Sequence, residues 1–143
     1  MKRTFTPAKL SLKRKWYVID AKNKYLGRLV TKIANLLRGK NKSLFTPYQN
    51  IGDYIIIVNV DQIKITGKKF TQKVYFRHSG RPGGKSIETF QTLQDRLPER
   101  IFENAIKGML PKNRLGRKLF TQVKLYRGPN HPHLAQNPEI IKL

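Results

Sequence analysis

The chain has 143 residues, with 30 Lys and Arg against 8 Asp and Glu, so its formal net charge is +22. This length fits one domain, with or without tails, better than two. The absence of cysteine excludes disulfides, thiolate metal sites and cysteine nucleophiles. The longest apolar run, residues 54–58, is far shorter than the roughly 20 residues that a membrane-spanning helix needs.

The predicted elements begin with a basic arm over residues 1–15, which lacks the apolar segment of a secretory signal. Residues 16–19 are apolar and rich in strand-forming types, and Asp20 ends this predicted strand. Apolar residues then recur at helical spacing over residues 26–37, and Gly39 is a natural stop. The spacing predicts an amphipathic helix with a cationic outer face.

The sequence pattern in the middle of the chain predicts strands and loops. Residues 54–58 are nearly all apolar, which is typical of a strand covered on both faces, as in a parallel sheet. Residues 63–65 form a short alternating piece, and residues 74–76 predict another strand. Three glycines and a proline within residues 80–84 require a loop, because they suit neither a helix nor a ladder.

The second half of the chain predicts two helices and a strand. Ser86 is expected to cap a helix that carries Ile87, Phe90 and Leu93. A following helix opens at Pro98 and ends by Gly108 and Pro111. Residues 123–126 predict the final strand, and the proline-containing tail from residue 128 is expected to wrap a surface. Strands that alternate with helices favour an α/β domain with a largely parallel sheet.

The positive charge is the strongest functional signal. Hydrophobic residues make up 38% of the chain, too many for a disordered basic tail, so the sequence describes a folded protein in anionic surroundings. An anionic membrane is the weaker partner, because the apolar helix faces are needed to cover the sheet. Charge is spread over loops and arms without a helix-turn-helix or zinc-finger pattern, which favours an irregular folded RNA over DNA.

Two segments superficially suggest other chemistry. Residues 79–86 end in Gly-Lys-Ser, as a phosphate-binding P-loop does, but Ser79 stands where the first glycine belongs. A basic loop whose glycines let backbone amides approach an RNA phosphate is the better interpretation. His131 and His133 make a poor metal cage, because Glu139 is their only downstream carboxylate. The sequence therefore predicts neither a nucleotide site nor a metal site.

The acidic and aromatic residues are assigned modest roles. Three aspartates at the ends of strand-like runs are expected to cap turns and pair with local Lys or Arg rather than to catalyse: Asp20, Asp53 and Asp61. Four aromatic rings lie beside basic residues in the sequence and are candidates for stacking on RNA bases: Tyr48, Tyr75, His78 and Tyr126. Packing in the core is an equal alternative for Tyr75.

Ordered blocks of the chain resemble the large-ribosomal-subunit protein thirteen family. The most specific block is Ile106-Lys-Gly-Met-Leu-Pro111, followed by Leu115-Gly-Arg117 and Val123-Lys-Leu-Tyr126. The blocks run in order from Trp16 to about Gln136, so the resemblance covers nearly the whole chain. The other matching segments are residues 16–21, 26–29, 37–40, 52–54, 65–69, 78–84 and 97–100.

The resemblance implies a three-layer α/β/α fold around a mostly parallel four-stranded sheet of order 3-2-1-4. An arm (residues 1–15), a single rRNA-binding domain (16–127) and an extended tail (128–143) are expected. The implied role is a structural part of the large ribosomal subunit that binds 23S-type rRNA, joins early in assembly and touches neighbouring ribosomal proteins. No catalysis, cofactor, metal, membrane or small-molecule substrate is implied.

The loop at residues 80–84 and the segment 128–133 resemble cyanobacterial and plastid members most. A plastid ribosome is therefore favoured, with a bacterial cytoplasmic ribosome as the alternative. Two other functions remain open at this point. One is feedback control through binding of a messenger RNA that mimics the ribosomal site, and the other is degenerate nucleotide binding by residues 80–86.

Cations on the arm, the helix face and the loops are expected to bridge rRNA phosphates that would otherwise repel one another. The predicted contact residues are Lys13, Arg14, Lys15, Arg38, Lys40, Lys42, Lys68, Lys69, Arg77, Arg81, Lys85, Lys112, Arg114, Arg117, Lys118 and Arg127.

Overall fold

A computed structural model describes residue 7 and residues 14–141 of the chain, and Lys13 lies outside these described residues. No helix in this part of the chain is both long and apolar enough to cross a membrane. Besides two short 3₁₀ helices, the elements in chain order are β1 (Trp16–Asp20), α1 (Leu26–Arg38), β2 (Tyr54–Val58), α2 (Lys69–Gln72), β3 (Val74–His78), β4 (Lys85–Thr89), α3 (Phe90–Arg96), α4 (Pro98–Met109), α5 (Arg114–Phe120), β5 (Val123–Leu125) and β6 (Glu139–Ile140).

Four strands form the main sheet in the order β5-β2-β1-β6, and every neighbouring pair is parallel. Numbered along the chain, this is the order 3-2-1-4 that the family resemblance implies. β2 lies at the centre, where residues 55–58 are buried. The apolar run therefore behaves as expected of a strand covered on both faces.

Helix α1 matches its predicted span and carries the first side of the core. Gly39 ends the helix in the left-handed region at φ +72°, and its N–H donates to the Leu36 carbonyl at 3.0 Å. A residue with a side chain is strained in this conformation, which explains the glycine stop. The buried face consists of Leu26, Leu29, Val30, Ile33, Ala34 and Leu37.

The sheet has a different covering on each face, which gives three layers. On one face, α1, α3, α4 and α5 pack over Ile19, Ile55 and Ile57 in the larger core. On the other face, Val18, Ile56 and Val58 form a smaller cluster with Trp16 and Tyr126. The tail, which carries the 3₁₀ helix Leu134–Gln136, covers this second face through His133, whose ring lies 5.3 Å from that of Trp16.

The prediction that Ser86 caps a helix is wrong. Residues 85–89 form β4, which pairs antiparallel with β3 as a separate hairpin, and Thr89 caps α3 by accepting from the Thr92 N–H at 3.3 Å. The apolar spacing predicted a helix wrongly because Ile87 does not pack in the core: its side chain is 54% exposed and lies opposite Phe76 on β3. Residues 63–65 also form no strand, and Lys64 makes only an isolated bridge to Tyr25.

Three further differences lie in the last third of the chain. Helix α4 continues through Gly108 to Met109 before Pro111. Helix α5 was not predicted, because the short segment buries few side chains and its exposed positions are basic. The expectation that residues 123–126 are the final strand is wrong, since β6 follows within the tail and pairs with β1.

Candidate nucleic-acid interface

Five predicted contact residues gather where the parallel strands begin. Two precede β1, and three lie at the end of α1 and in the loop after it. The Arg14 guanidinium donates to the Asn50 carbonyl at 3.1 Å, which ties the approach to β1 to the loop before β2. This amino-edge cluster consists of Arg14, Lys15, Arg38, Lys40 and Lys42.

A buried carboxylate organises the amino-edge cluster. Asp53, 0% exposed, accepts through Oδ1 from the Lys15 backbone N–H at 2.9 Å and from the Lys42 ammonium. Lys42 also donates to the Ile51 carbonyl at 3.0 Å. The expected pairing of Asp53 with a local lysine is thus confirmed, and Lys42 holds the loop against the sheet.

Lys15 links the amino-edge cluster to the C-terminal strand. Its ammonium lies 2.8 Å from Glu139 Oε1 at the start of β6, and this hydrogen bond raises the pKa of Lys15. Both side chains are more than half exposed, so the pair is in contact with solvent. An exposed pair of this kind contributes little stability and leaves the ammonium accessible to a phosphate.

A second group of cations lies on the β3–β4 hairpin. This hairpin cluster consists of Arg77, Arg81 and Lys85, all exposed. The connecting loop is closed by the Ser79 N–H, which donates to the Gly84 carbonyl at 3.1 Å, and Gly80 and Gly83 supply positive φ angles of +88° and +72°. The loop joins two antiparallel strands, whereas a P-loop joins a strand to a helix, so residues 79–86 do not form a P-loop.

The remaining exposed candidates lie on or just before two helices. The α5 cluster consists of Lys112, Arg114, Arg117 and Lys118; Lys112 precedes α5, and the other three lie on it while Leu119 packs into the core. Gly116 is required because a Cβ there would lie 1.7 Å from the Pro111 carbonyl oxygen. Lys68 and Lys69 are exposed at the start of α2.

Arg127 differs from the other candidates because the fold itself uses its guanidinium. Nε donates to Glu99 Oε1 at 2.8 Å, and Nη2 donates to the Arg96 carbonyl at 2.7 Å. This hydrogen bonding holds the pKa of Glu99 below its ordinary value and raises that of Arg127. Arg127 therefore ties the segment after β5 to the start of α4.

The carboxylates of the chain neutralise few of its cations. The described residues form five ion pairs, which engage five of the 8 acidic residues. Among the predicted contacts within this part of the chain, only Lys15, Lys42 and Arg127 take part. Most of the positive charge on residues 14–141 therefore lies on side chains outside these five ion pairs, as a surface that binds polyanions requires.

Of the four ring candidates, Tyr75 and Tyr126 pack within the fold, whereas Tyr48 and His78 are exposed. Tyr75 is partly buried and packs against the larger core, and burial raises its pKa. The Tyr126 hydroxyl and His133 Nε2 lie 2.8 Å apart, which fixes the tail on the sheet. No group of three or more His, Asp or Glu in the described part of the chain could hold a metal ion.

Sequence reasoning overlooked two exposed rings beside cations, Tyr25 and Phe76, and the Lys85 ammonium lies 5.1 Å from the Phe76 ring centroid. Tyr25, 45% exposed, precedes α1, and the Arg28 guanidinium lies 5.6 Å from its ring centroid. Arg28 and Lys32 lie on the exposed, cationic face of α1 but are not among the predicted contacts. The spacing of three residues between Tyr25 and Arg28 is a signal that could have found the pair, because residues three apart are neighbours on a helix.

Comparison with known proteins agrees with this arrangement. A family model described as ribosomal protein L13 matches residues 14–132. The chain is 59% identical over all 143 residues to the large ribosomal subunit protein uL13 of Crocosphaera subtropica, covering 95% of that protein, and 59% identical to that of a Cyanothece species, covering 96%. It is 58% identical to the protein of the same name from Prochlorococcus marinus, covering 95% of its length. The chain belongs to the ribosomal protein L13 family.

Proposed function

We propose that the chain is a structural component of the large ribosomal subunit that binds 23S-type rRNA and supports early assembly of the subunit. One observation carries the proposal: a self-contained core displays far more exposed cations than its carboxylates can pair. The relatives named large ribosomal subunit protein match the chain along its whole length. Such a role needs no catalytic group, cofactor or small-molecule substrate.

The mechanism is charge neutralisation at fixed positions. Exposed Lys and Arg bridge phosphates of rRNA segments that would otherwise repel, and the core determines where those cations lie. The amino-edge, hairpin and α5 clusters are the proposed contact surfaces, with Lys68 and Lys69 beside them. Lys42 and Arg127 act mainly by holding loops in position. In this proposal residues 1–15 are the basic arm, residues 16–127 the rRNA-binding domain and residues 128–143 the extended tail.

The ribosome of a plastid is the proposed location, with the bacterial cytoplasm as the alternative. The segments 80–84 and 128–133 resemble cyanobacterial and plastid members, and the three relatives named above come from cyanobacteria. Fractionation of the source cells, followed by detection of the chain in ribosomes from isolated plastids, tests this location. Its recovery only from ribosomes outside plastids would contradict the plastid assignment.

Sedimentation of native lysate tests the role itself. The chain is expected to migrate with the large subunit through a sucrose gradient, and migration at the top of the gradient would contradict the proposal.

Binding of purified chain to 23S-type rRNA at several salt concentrations tests the mechanism, because each phosphate contact should steepen the salt dependence by about 0.7 to 0.9 log units of affinity per log unit of salt. Affinity that does not change with salt would exclude charge neutralisation.

A charge variant locates part of the contact. Replacement of Arg77, Arg81 and Lys85 by Gln removes the hairpin cluster, and the salt slope should fall by roughly 2 if all three reach phosphates. The control replaces Lys107 by Gln, since Lys107 already pairs with Glu103 at 3.9 Å. An unchanged slope in the hairpin variant would remove this cluster from the interface.

A further inference from the structure

The first turn of α1 and the end of α4 enclose an open groove. Its floor is apolar and includes Ile65, Ala105 and Met109, and Tyr25 stands at one side. Arg28, Lys69 and Lys73 line the same groove. This Tyr25 groove is defined by Tyr25, Arg28, Ile65, Lys69, Lys73 and Met109.

The backbone holds Tyr25 in a fixed position. Residues 24–26 run beside Lys64, whose N–H donates to the Lys24 carbonyl at 2.9 Å and whose carbonyl accepts from the Leu26 N–H at 2.9 Å. These two bonds bracket Tyr25 and fix the start of α1. The ring stays 45% exposed, and the Arg28 guanidinium lies over it at 5.6 Å from its centroid, so the pair forms a platform of an exposed aromatic ring and a cation.

The charge around the platform has a single sign. Among the described residues that line the Tyr25 groove, none is Asp or Glu. A second, smaller depression shares Tyr25 and Arg28 with this groove, is also lined by Asn23, Lys24 and Lys32, and likewise includes no acidic residue. Cations thus flank an apolar slot on both sides of one exposed ring.

We propose that the Tyr25 groove binds an unpaired nucleotide of RNA, with its base stacked on Tyr25 and its phosphates beside Arg28, Lys69 and Lys73. The inference rests on the proposed function and adds a site to it. Aromatic faces next to cations bind single-stranded RNA because every base offers a flat π surface. Paired bases in a duplex are already stacked on both sides, so a duplex reaches the cations but not the ring. An acidic peptide would satisfy the charges and leave the flat platform unused.

Binding of labelled RNA by the full chain tests the proposal. Fluorescence anisotropy compares a short uridine oligonucleotide with a duplex RNA of the same length. Tyr25→Leu should weaken binding of the single strand by at least about fivefold and change duplex binding little, because it removes one stacking partner. Tyr25→Phe keeps the ring and should restore the affinity. A Tyr25→Leu effect equal on both RNAs would overturn the proposal.

Charge variants provide a test that does not depend on the ring. Lys73→Gln should weaken single-strand binding more than Lys107→Gln, which removes the same charge from outside the groove. Equal losses for the two variants would mean that only overall charge matters, and would overturn the site. Melting temperatures of all variants establish that each one folds.

Crosslinking in the assembled particle identifies the occupant. Large subunits that contain 4-thiouridine are irradiated, and the crosslinked peptides are mapped by mass spectrometry. A crosslink between 4-thiouridine and residues 25–28 supports the proposal, whereas crosslinks that map to other segments of the chain but not to this one would overturn it. If the chain migrates with the large subunit but Tyr25→Leu changes neither assay, only this inference fails. If the chain does not associate with the subunit or with rRNA, the proposed function fails as well.

Discussion

Asp53 is the residue on which the beginning of the sheet depends. It is fully buried, and one of its carboxylate oxygens accepts from both the Lys15 backbone and the Lys42 side chain. A buried charge requires such partners because it has lost its water. The Lys42 ammonium is itself partly buried, so each member of the pair depends on the other.

Asp53→Asn should lower the free energy of unfolding by about 2 to 4 kcal/mol, because Lys42 then keeps its charge in a partly buried place without a carboxylate. Urea denaturation followed by circular dichroism measures the change. Asp95→Asn is the control, since Asp95 is exposed on α3 and should change stability by less than about 0.5 kcal/mol. Equal stability of the two variants would show that the pair has no such role.

At the scale of elements, the sequence predicted best where one periodicity extended over a whole segment. Helix α1 and strand β2 follow their patterns because each buries a continuous set of apolar side chains. β4 was missed because Ile87 is apolar yet exposed. Ile87, Phe90 and Leu93 follow one another at helical spacing, although Ile87 belongs to β4 and the other two belong to α3. α5 has too few buried residues to produce a recognisable stripe.

The sequence predicted which basic residues belong to the candidate site, but it did not predict which of them form ion pairs. The basic segments marked the hairpin and α5 clusters, because exposed loops and short helices keep their cations in solvent. Sequence could not show that Lys15 meets Glu139 or that Arg127 meets Glu99, since folding brings these distant residues together. Tyr25 was overlooked because its exposure depends on how α4 ends beside α1.

The link between α4 and the segment after β5 is expected to depend on pH. Glu99 has a lowered pKa in the folded chain because Arg127 donates to it, relative to an ordinary value of 4.5. Its contribution is therefore complete above about pH 4.5 and is lost as the pH falls through the lowered folded value. Glu99→Gln should be less stable than the parent at neutral pH, and this difference should shrink in acid.

Thermal unfolding of both proteins from about pH 7 down to about pH 3 measures this difference. Glu88 and Asp20 also have lowered pKa values, but they are present in both proteins and their effects cancel in the comparison. Glu103→Gln is the matched control, because its contact with Lys107 is longer at 3.9 Å. A gap between parent and Glu99→Gln that stays constant across the range would exclude the assigned linkage.

For the whole molecule, the net charge of +22 means that the free chain folds against its own repulsion. Salt shortens the range of this repulsion from about 30 Å at 0.01 M to about 10 Å at 0.1 M. The ion pairs are few and mostly exposed, so their weakening by salt is the smaller effect.

The melting temperature of the chain without RNA should therefore rise as sodium chloride increases from about 0.01 to 0.3 M. The variant in which Arg77, Arg81 and Lys85 are replaced by Gln should show a smaller rise, because it carries less charge. Differential scanning calorimetry measures both curves. A melting temperature that falls with salt would show that attraction within the fold outweighs repulsion.

The two-residue strand β6 affects the order in which the molecule can be completed. It lies beside β1, which precedes it by more than 100 residues, and the Ile141 N–H donates to the Val18 carbonyl at 2.9 Å. During translation, this edge of β1 therefore stays open until residues 139–141 have been synthesised. An unpaired strand edge is a template for pairing with another chain, so a nascent chain that stalls before residue 139 would leave the ribosome with that edge available to a second copy.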